Sequence, residues 1–215
     1  MIDSAYIAHT SECSGWNLDD ILKGTIFKKS ARTWRFPEQE QVQMLDWDFR
    51  RLEGRGFANT WKQHLFLAKT NDFEVIMSPD LFHGEWMRAY SAYFELKKHC
   101  KRVVMPVHVC LPDTEESEEI EIAWPMGVWT KDYVAVWEVQ EQVTHLLGGS
   151  PHAQLKMAKY FPNLRTIDGN QAFWCAVKFG KYWDKRWIKP DKILSNEECF
   201  RLSIENITDA WRMSE

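Results

Sequence analysis

Short apolar runs rich in β-branched residues recur along this chain at 6–9, 42–46, 73–77, 102–109, 122–128, 143–147 and 164–167, and each has the length of a strand rather than a helix. Between several of them the apolar spacing becomes helical. Trp61, Leu65 and Ala68 share one face of 59–70, Tyr90, Phe94 and Leu96 mark 85–100, and Leu155 and Ala158 mark 151–160, where Pro151 suits a first helical turn. Strands that alternate with helices are joined by crossovers, and crossovers make parallel sheets. The chain closes on an amphipathic helix at 196–213: Ser195 and Glu198 have capping-box spacing, and Phe200, Ile204, Ile207 and Trp211 form one stripe. The expected fold is therefore α/β, a compact TIM-like (β/α)8 barrel forming a single domain over 1–215, with an amphipathic C-terminal helix. At 215 residues the loops must be short, and one strand is expected to be irregular.

Composition removes several alternatives. With 45% hydrophobic and 27% charged residues the chain has enough apolar surface to fold, which excludes a disordered or repetitive protein. The uncharged stretch 103–111 is about half of a bilayer crossing, and the N-terminus has no basic start before an apolar run, so a soluble, cytoplasmic protein without membrane contact is expected. Five cysteines (Cys13, Cys100, Cys110, Cys175, Cys199) without a CxxC pair read as reduced thiols, and seven dispersed histidines without HExxH give no reason to expect a metal. The phosphate-cradling patterns GxxxxGK[ST] and GxGxxG are absent, which sets aside nucleotide hydrolysis and dinucleotide binding.

Charge is unevenly spread although the net value is only −4. The stretch 113–121 carries six acids and no base and reads as a solvated loop, whereas 156–192 carries nine Lys and Arg against three Asp. A local excess of that size suits either a solvated helix face or a polyanion partner. Twelve tryptophans are far above ordinary usage and suit core packing or stacking on bases and sugars.

The strand ends carry the chemistry. Successive runs stop at Met44-Leu45-Asp46, Ser78-Pro79-Asp80, Pro106-Val107-His108, Met126-Gly127, Leu147-Gly148-Gly149 and Ile167-Asp168-Gly169-Asn170. Asp, Gly and Asn are turn residues, yet in parallel α/β folds ligands also collect at the carboxyl ends of strands, so these tips point to one mouth. Two aspartates facing one pocket can act as nucleophile and as acid/base at a sugar carbon, because a carboxylate captures an oxocarbenium-like centre while the leaving group takes a proton.

Over 42–180 the ordered tips resemble the tRNA-guanine transglycosylase superfamily, particularly its divergent phage and archaeal relatives that insert 7-deazaguanines into DNA. Met44-Leu45-Asp46-Trp47-Asp48 stands where that family has TDSGG, without the glycines, and Ile76-Met77-Ser78-Pro79-Asp80 is similar to the strand whose aspartate reads the guanine edge. Pro106-Val107-His108 takes the place of IVQGG with His108 for the glutamine, and Pro125-Met126-Gly127-Val128 resembles LAVG. The best match is His145-Leu146-Leu147-Gly148-Gly149-Ser150-Pro151 against YLMGVGTP, and Thr166-Ile167-Asp168-Gly169-Asn170 follows at the nucleophile position. The family's zinc-binding cysteine cluster is absent.

The resemblance implies exchange of guanine for a 7-deazaguanine base in DNA or RNA without an organic cofactor. Asp168 would attack the anomeric carbon and Asp46 would carry the proton; Asp80, His108, Gly127, Gly148, Gly149 and Asn170 would bind substrate. Lys178, Lys181, Lys185, Arg186 and Lys189, with Lys156 and Lys159, would form a positive apron beside the mouth, and Trp174, Trp183 or Trp187 would offer stacking faces. A non-catalytic nucleobase or single-stranded nucleic-acid binding barrel, and a nucleoside or glycoside hydrolase, use the same residues and stay open.

Overall fold

The computed structural model describes residues 2–8, 16–37, 41–47, 57–82, 85–127 and 134–214. Cys13, and the expected strand-end residues His9, Asp48 and Val128, lie outside them. Eight strands pair in sequence order and close into a barrel: β1 (Ser4–Ala8), β2 (Phe27–Arg32), β3 (Met44–Asp46), β4 (Val75–Met77), β5 (Val103–Pro106), β6 (Ile122–Pro125), β7 (Val143–Leu147) and β8 (Thr166–Asp168). Every pair is parallel, and β8 returns to β1 with Asp168 opposite Tyr6. The irregular strand is β7, where the register against β6 shifts between Ile122 and Ala123.

The helices between strands are α1 (Leu18–Leu22), α2 (Phe57–Thr70), α3 (Trp86–Lys97), α4 (Glu115–Glu118), α5 (Val136–Val139), α6 (Pro151–Ala158) and α7 (Gln171–Phe179). Among the described residues β2 is followed only by a 3-10 turn at Thr33–Arg35. After α7 a hairpin of β9 (Tyr182–Asp184) and β10 (Arg186–Ile188) precedes the closing helix α8 (Asn196–Arg212). No helix among the described residues is long and apolar enough to cross a membrane.

Helix α8 begins where its sequence says it should. Ser195 Oγ accepts the Glu198 N–H at 3.1 Å, and Glu198 Oε2 accepts the Ser195 N–H at 2.7 Å. Its stripe of Phe200, Ile204, Ile207 and Trp211 is buried, and the Phe200 ring meets Phe173 of α7 and Trp16. Polar contacts tie the same helix to the start of the barrel: Arg201 to Asp20 at 2.9 Å, Ile26 N–H to Thr208 Oγ1, and Arg212 to the Gly24 carbonyl. The closing helix thus spans the two ends of the chain.

Apolar burial divides into two groups, as a barrel wall requires. Tyr6, Met44, Trp47, Val75, Met77, Val104 and Ala123 pack together, separately from the larger set that strands and helices share. Polar groups floor the barrel at the strand beginnings. Glu74 accepts from Tyr6 Oη and pairs with Lys28 at 2.6 Å; Arg102 pairs with Glu121 at 3.0 Å and donates to the Thr144 carbonyl. Burial pushes the Tyr6 phenol up. Glu121, the last acid of the 113–121 run, is therefore a floor residue, and 115–118 of that run form α4 instead of the expected loop.

His64 of α2 is fully buried: its Nε2–H donates to the Met77 carbonyl at 2.9 Å, and Nδ1 meets Thr33 Oγ1. Burial lowers its pKa to about 3. Because the folded value lies below the unfolded one, this stability is complete above about pH 6.5 and is lost as pH falls toward 3, by up to roughly 1.4 kcal/mol per unit. Urea unfolding between pH 6.5 and pH 5 should lose about 2 kcal/mol from this source. His64→Gln should be less stable at pH 7 with a shallower acid dependence, and a variant with the wild-type slope would remove His64 from the account.

Candidate active site at the strand ends

Asp46, Asp80, His108, Gly127, Gly148 and Asp168 all stand at or just beyond the carboxyl ends of β3 to β8, and barrel closure puts these ends around one mouth. Asp168 is held through one oxygen. Its Oδ1 accepts the Gly148 N–H at 2.6 Å, its side chain is 16% exposed, and Oδ2 takes no hydrogen bond among the described residues. One oxygen is anchored and the other is left for chemistry.

The anchoring depends on the turn after β7. Gly148 and Gly149 adopt φ of +72° and +88°, where residues with a Cβ are strained, and Ser150 then caps α6 by accepting the Ala153 N–H at 3.1 Å. Gln154 of α6, almost wholly buried, donates from Nε2 to the Gly148 and Asp168 carbonyls, each at 2.7 Å. One side chain thus fastens the β7 turn to the end of β8. On the other side Asn170 Oδ1 accepts the Ala8 N–H at 2.9 Å, fastening β8 to β1. The structure thereby gives Asn170 a positional task at the seam.

Asp46 points to a different neighbour. Its Oδ2 lies 3.5 Å from Nε of Arg32, the residue opposite it at the end of β2. Arg32 was not expected here, since β2 has no apolar signature. Asp80 and His108 are brought together: Oδ2 to Nε2 is 2.8 Å, both are buried, and the Phe82 ring stacks on His108 at 4.5 Å and 6°. The backbone bridge between Leu81 and Val107 sets this pairing by extending β4 and β5 past their ends. His145 of β7 is buried beneath Asp168 with Nε2 3.6 Å from Oδ1. It stood in the best-matched segment of the sequence, but nothing in the sequence distinguished it from the other dispersed histidines.

The basic residues lie elsewhere. Lys178 ends α7, about 10 Å along the helix from Gln171, with Nζ 4.8 Å from the centre of the Trp174 ring. Lys181, Lys185, Arg186 and Lys189 belong to the β9–β10 hairpin and its flanks, and α8 holds that hairpin through Trp183, whose N–H donates to Ser203 Oγ and whose carbonyl accepts from Asn206. These cations lie on the flank beyond α7 instead of among the strand tips, and none makes an ion pair among the described residues. Trp183 is 2% exposed, so the stacking role expected of it is corrected: its ring is packed in the core. Trp174 and Trp187 are partly buried.

Fold and site together define a (β/α)8 barrel whose mouth carries two separately held carboxylates and a buried Asp–His pair. The chain belongs to DUF6610, a family of unknown function, whose model matches residues 21–212. No curated protein matches it. Among solved structures it is similar to one assigned as a fructose-1,6-bisphosphate aldolase from Coccidioides immitis, with a TM-score of 0.51 and 15% identity over 99% of this chain and 89% of that one. At that identity the likeness is one of fold.

The two glycines of the turn should respond differently to substitution. A Cβ on Gly149 would lie 2.7 Å from Met126 Cβ, whereas one on Gly148 meets nothing within 4 Å. Gly148→Ala should cost about 1 kcal/mol from φ alone, and Gly149→Ala roughly 1–3 kcal/mol more. In a Met126→Gly background the excess should vanish in a double-mutant cycle of urea midpoints. Equal costs at both glycines would contradict this close approach of the β6 and β7 ends.

Proposed function

We propose that this protein is a glycosyl-transfer enzyme of the guanine transglycosylase type, exchanging guanine in a polynucleotide for a 7-deazaguanine base. The observation that carries the reading is the state of Asp168. A carboxylate at the end of a barrel strand, oriented by a backbone amide through one oxygen and unencumbered at the other, is suited to attack on an anomeric carbon.

In the first step Asp168 Oδ2 bonds to C1′ while the C1′–N9 bond breaks, and its electron pair leaves with guanine, which takes a proton. In the second step N9 of the incoming base attacks C1′, the C1′–Oδ2 bond returns its pair to the carboxylate, and the proton on that base is removed. We assign the giving and taking of this proton to Asp46, whose carboxylate stands at the end of β3 beside Arg32. Asp80 and His108, paired and stacked, offer a fixed polar edge for a planar purine. The cations from Lys178 to Lys189, which make no ion pair among the described residues, supply a flank on which a phosphate chain can lie.

Incubation with guanine-containing DNA or RNA and labelled guanine tests this directly. Label entering the polynucleotide supports the proposal, release of free base without incorporation indicates a hydrolase, and retention of nucleic acid without chemistry indicates a binding module. Asp168→Asn should lower exchange by roughly a thousandfold or more while leaving oligonucleotide affinity nearly unchanged. Exchange by this variant at the wild-type rate would remove Asp168 and the mechanism with it.

A further inference from the structure

His145 is fully buried, yet among the described residues its Nε2 has no hydrogen-bond partner. A buried polar nitrogen left unpaired is costly, and an apolar residue would fill the same space without that cost. The other ring nitrogen is engaged, with Nδ1 2.8 Å from Thr166 Oγ1. Asp168 Oδ1 lies 3.6 Å from Nε2, just beyond hydrogen-bonding distance, and it is the oxygen that Gly148 already holds.

The carboxylate decides which nitrogen carries the proton. If Nδ1–H donated to Thr166, the Nε2 lone pair would face an anionic oxygen. If the Thr166 hydroxyl donates to Nδ1, Nε2–H points at Oδ1, and a movement of about 0.6 Å completes a charge-assisted bond. His145 and Gly148 then flank the oxygen that does not bond to the sugar.

We propose that His145 is a positioning residue for Asp168, presenting Nε2–H to Oδ1 so that the carboxylate is stabilised as it leaves the sugar. This rests on the transglycosylase reading. When Asp168 attacks, negative charge is withdrawn from the carboxylate, so a donor at Oδ1 holds back formation of the ester. When the incoming base displaces it, the C1′–Oδ2 pair returns to the carboxylate and charge grows on both oxygens, so the same donor assists. His145 therefore speeds breakdown of the glycosyl-enzyme relative to its formation and lowers the covalent fraction at steady state.

His145→Leu removes the donor, and His145→Gln keeps an N–H in a similar place. In acid-quenched reactions, His145→Leu should raise the steady-state covalent fraction and lower kcat for exchange by roughly ten- to a hundredfold, with KM falling alongside. His145→Gln should recover most of the wild-type behaviour. A folded His145→Leu protein with the wild-type covalent fraction, or with kcat lost and KM unchanged, would overturn the proposal. The second measurement needs neither substrate nor a variant of His145: ¹⁵N NMR of the imidazole should show the Nε2–H tautomer, with a resonance that moves in Asp168→Asn. The Nδ1–H tautomer overturns the proposal even if exchange is observed. A protein with the Nε2–H tautomer but neither adduct nor exchange overturns the transglycosylase reading and the role in release, while the contact between His145 and Asp168 stands.

Discussion

Closure of the sheet between β8 and β1 is the constraint on which the candidate site depends. Three residues of β8 pair with Ser4, Ala5 and Tyr6, and only this pairing turns a row of strand tips into a ring. Because β8 is so short, backbone pairing is supplemented at its end, where Asn170 takes the Ala8 N–H on one side and Gln154 bonds both the Asp168 and Gly148 carbonyls on the other. The side chains that close the barrel are therefore the ones that hold Asp168 still. Helix α8 supports the closure from outside by packing on α7 and reaching Asp20, Gly24 and Ile26 ahead of β2.

Much of this architecture is legible in the sequence because seven of the strands are buried on both faces and read as apolar runs. The exception is β2, and its chemistry explains why it escapes notice. In Phe27–Arg32, Lys28 turns to Glu74 in the floor, Lys29 pairs with Asp19 at 3.0 Å, and Arg32 reaches Asp46 at the mouth. A strand whose side chains are cationic is buried only because anions from other elements meet each one, and those anions are up to 46 positions away in the chain. The short helices α1, α4 and α5 span too few residues to show a period, and α7 is apolar on nearly every side, which hides its stripe.

The site was legible in position more than in partnership. That Asp46, Asp80, His108 and Asp168 share the strand ends follows from where the apolar runs stop. That Asp80 and His108 bond to each other follows from the bridge between Leu81 and Val107, a register that no local pattern encodes. His145 is the clearest instance, since its meaning comes from the depth at which β7 places it under a carboxylate 23 positions later. Trp183 shows the reverse: its basic neighbours in sequence suggest a stacking face, but the hairpin folds it against α8.

The central claim is that Asp168 bonds covalently to the sugar during turnover, and its site of attachment can be read directly. Reaction with a guanine-containing oligonucleotide, acid quench, nuclease trimming and tryptic digestion should place a glycosyl mass on the peptide 166–178, with fragmentation locating it on Asp168. A covalent mass on any other residue, or exchange that proceeds with peptide 166–178 unmodified under conditions where an intermediate is trapped, would contradict the account.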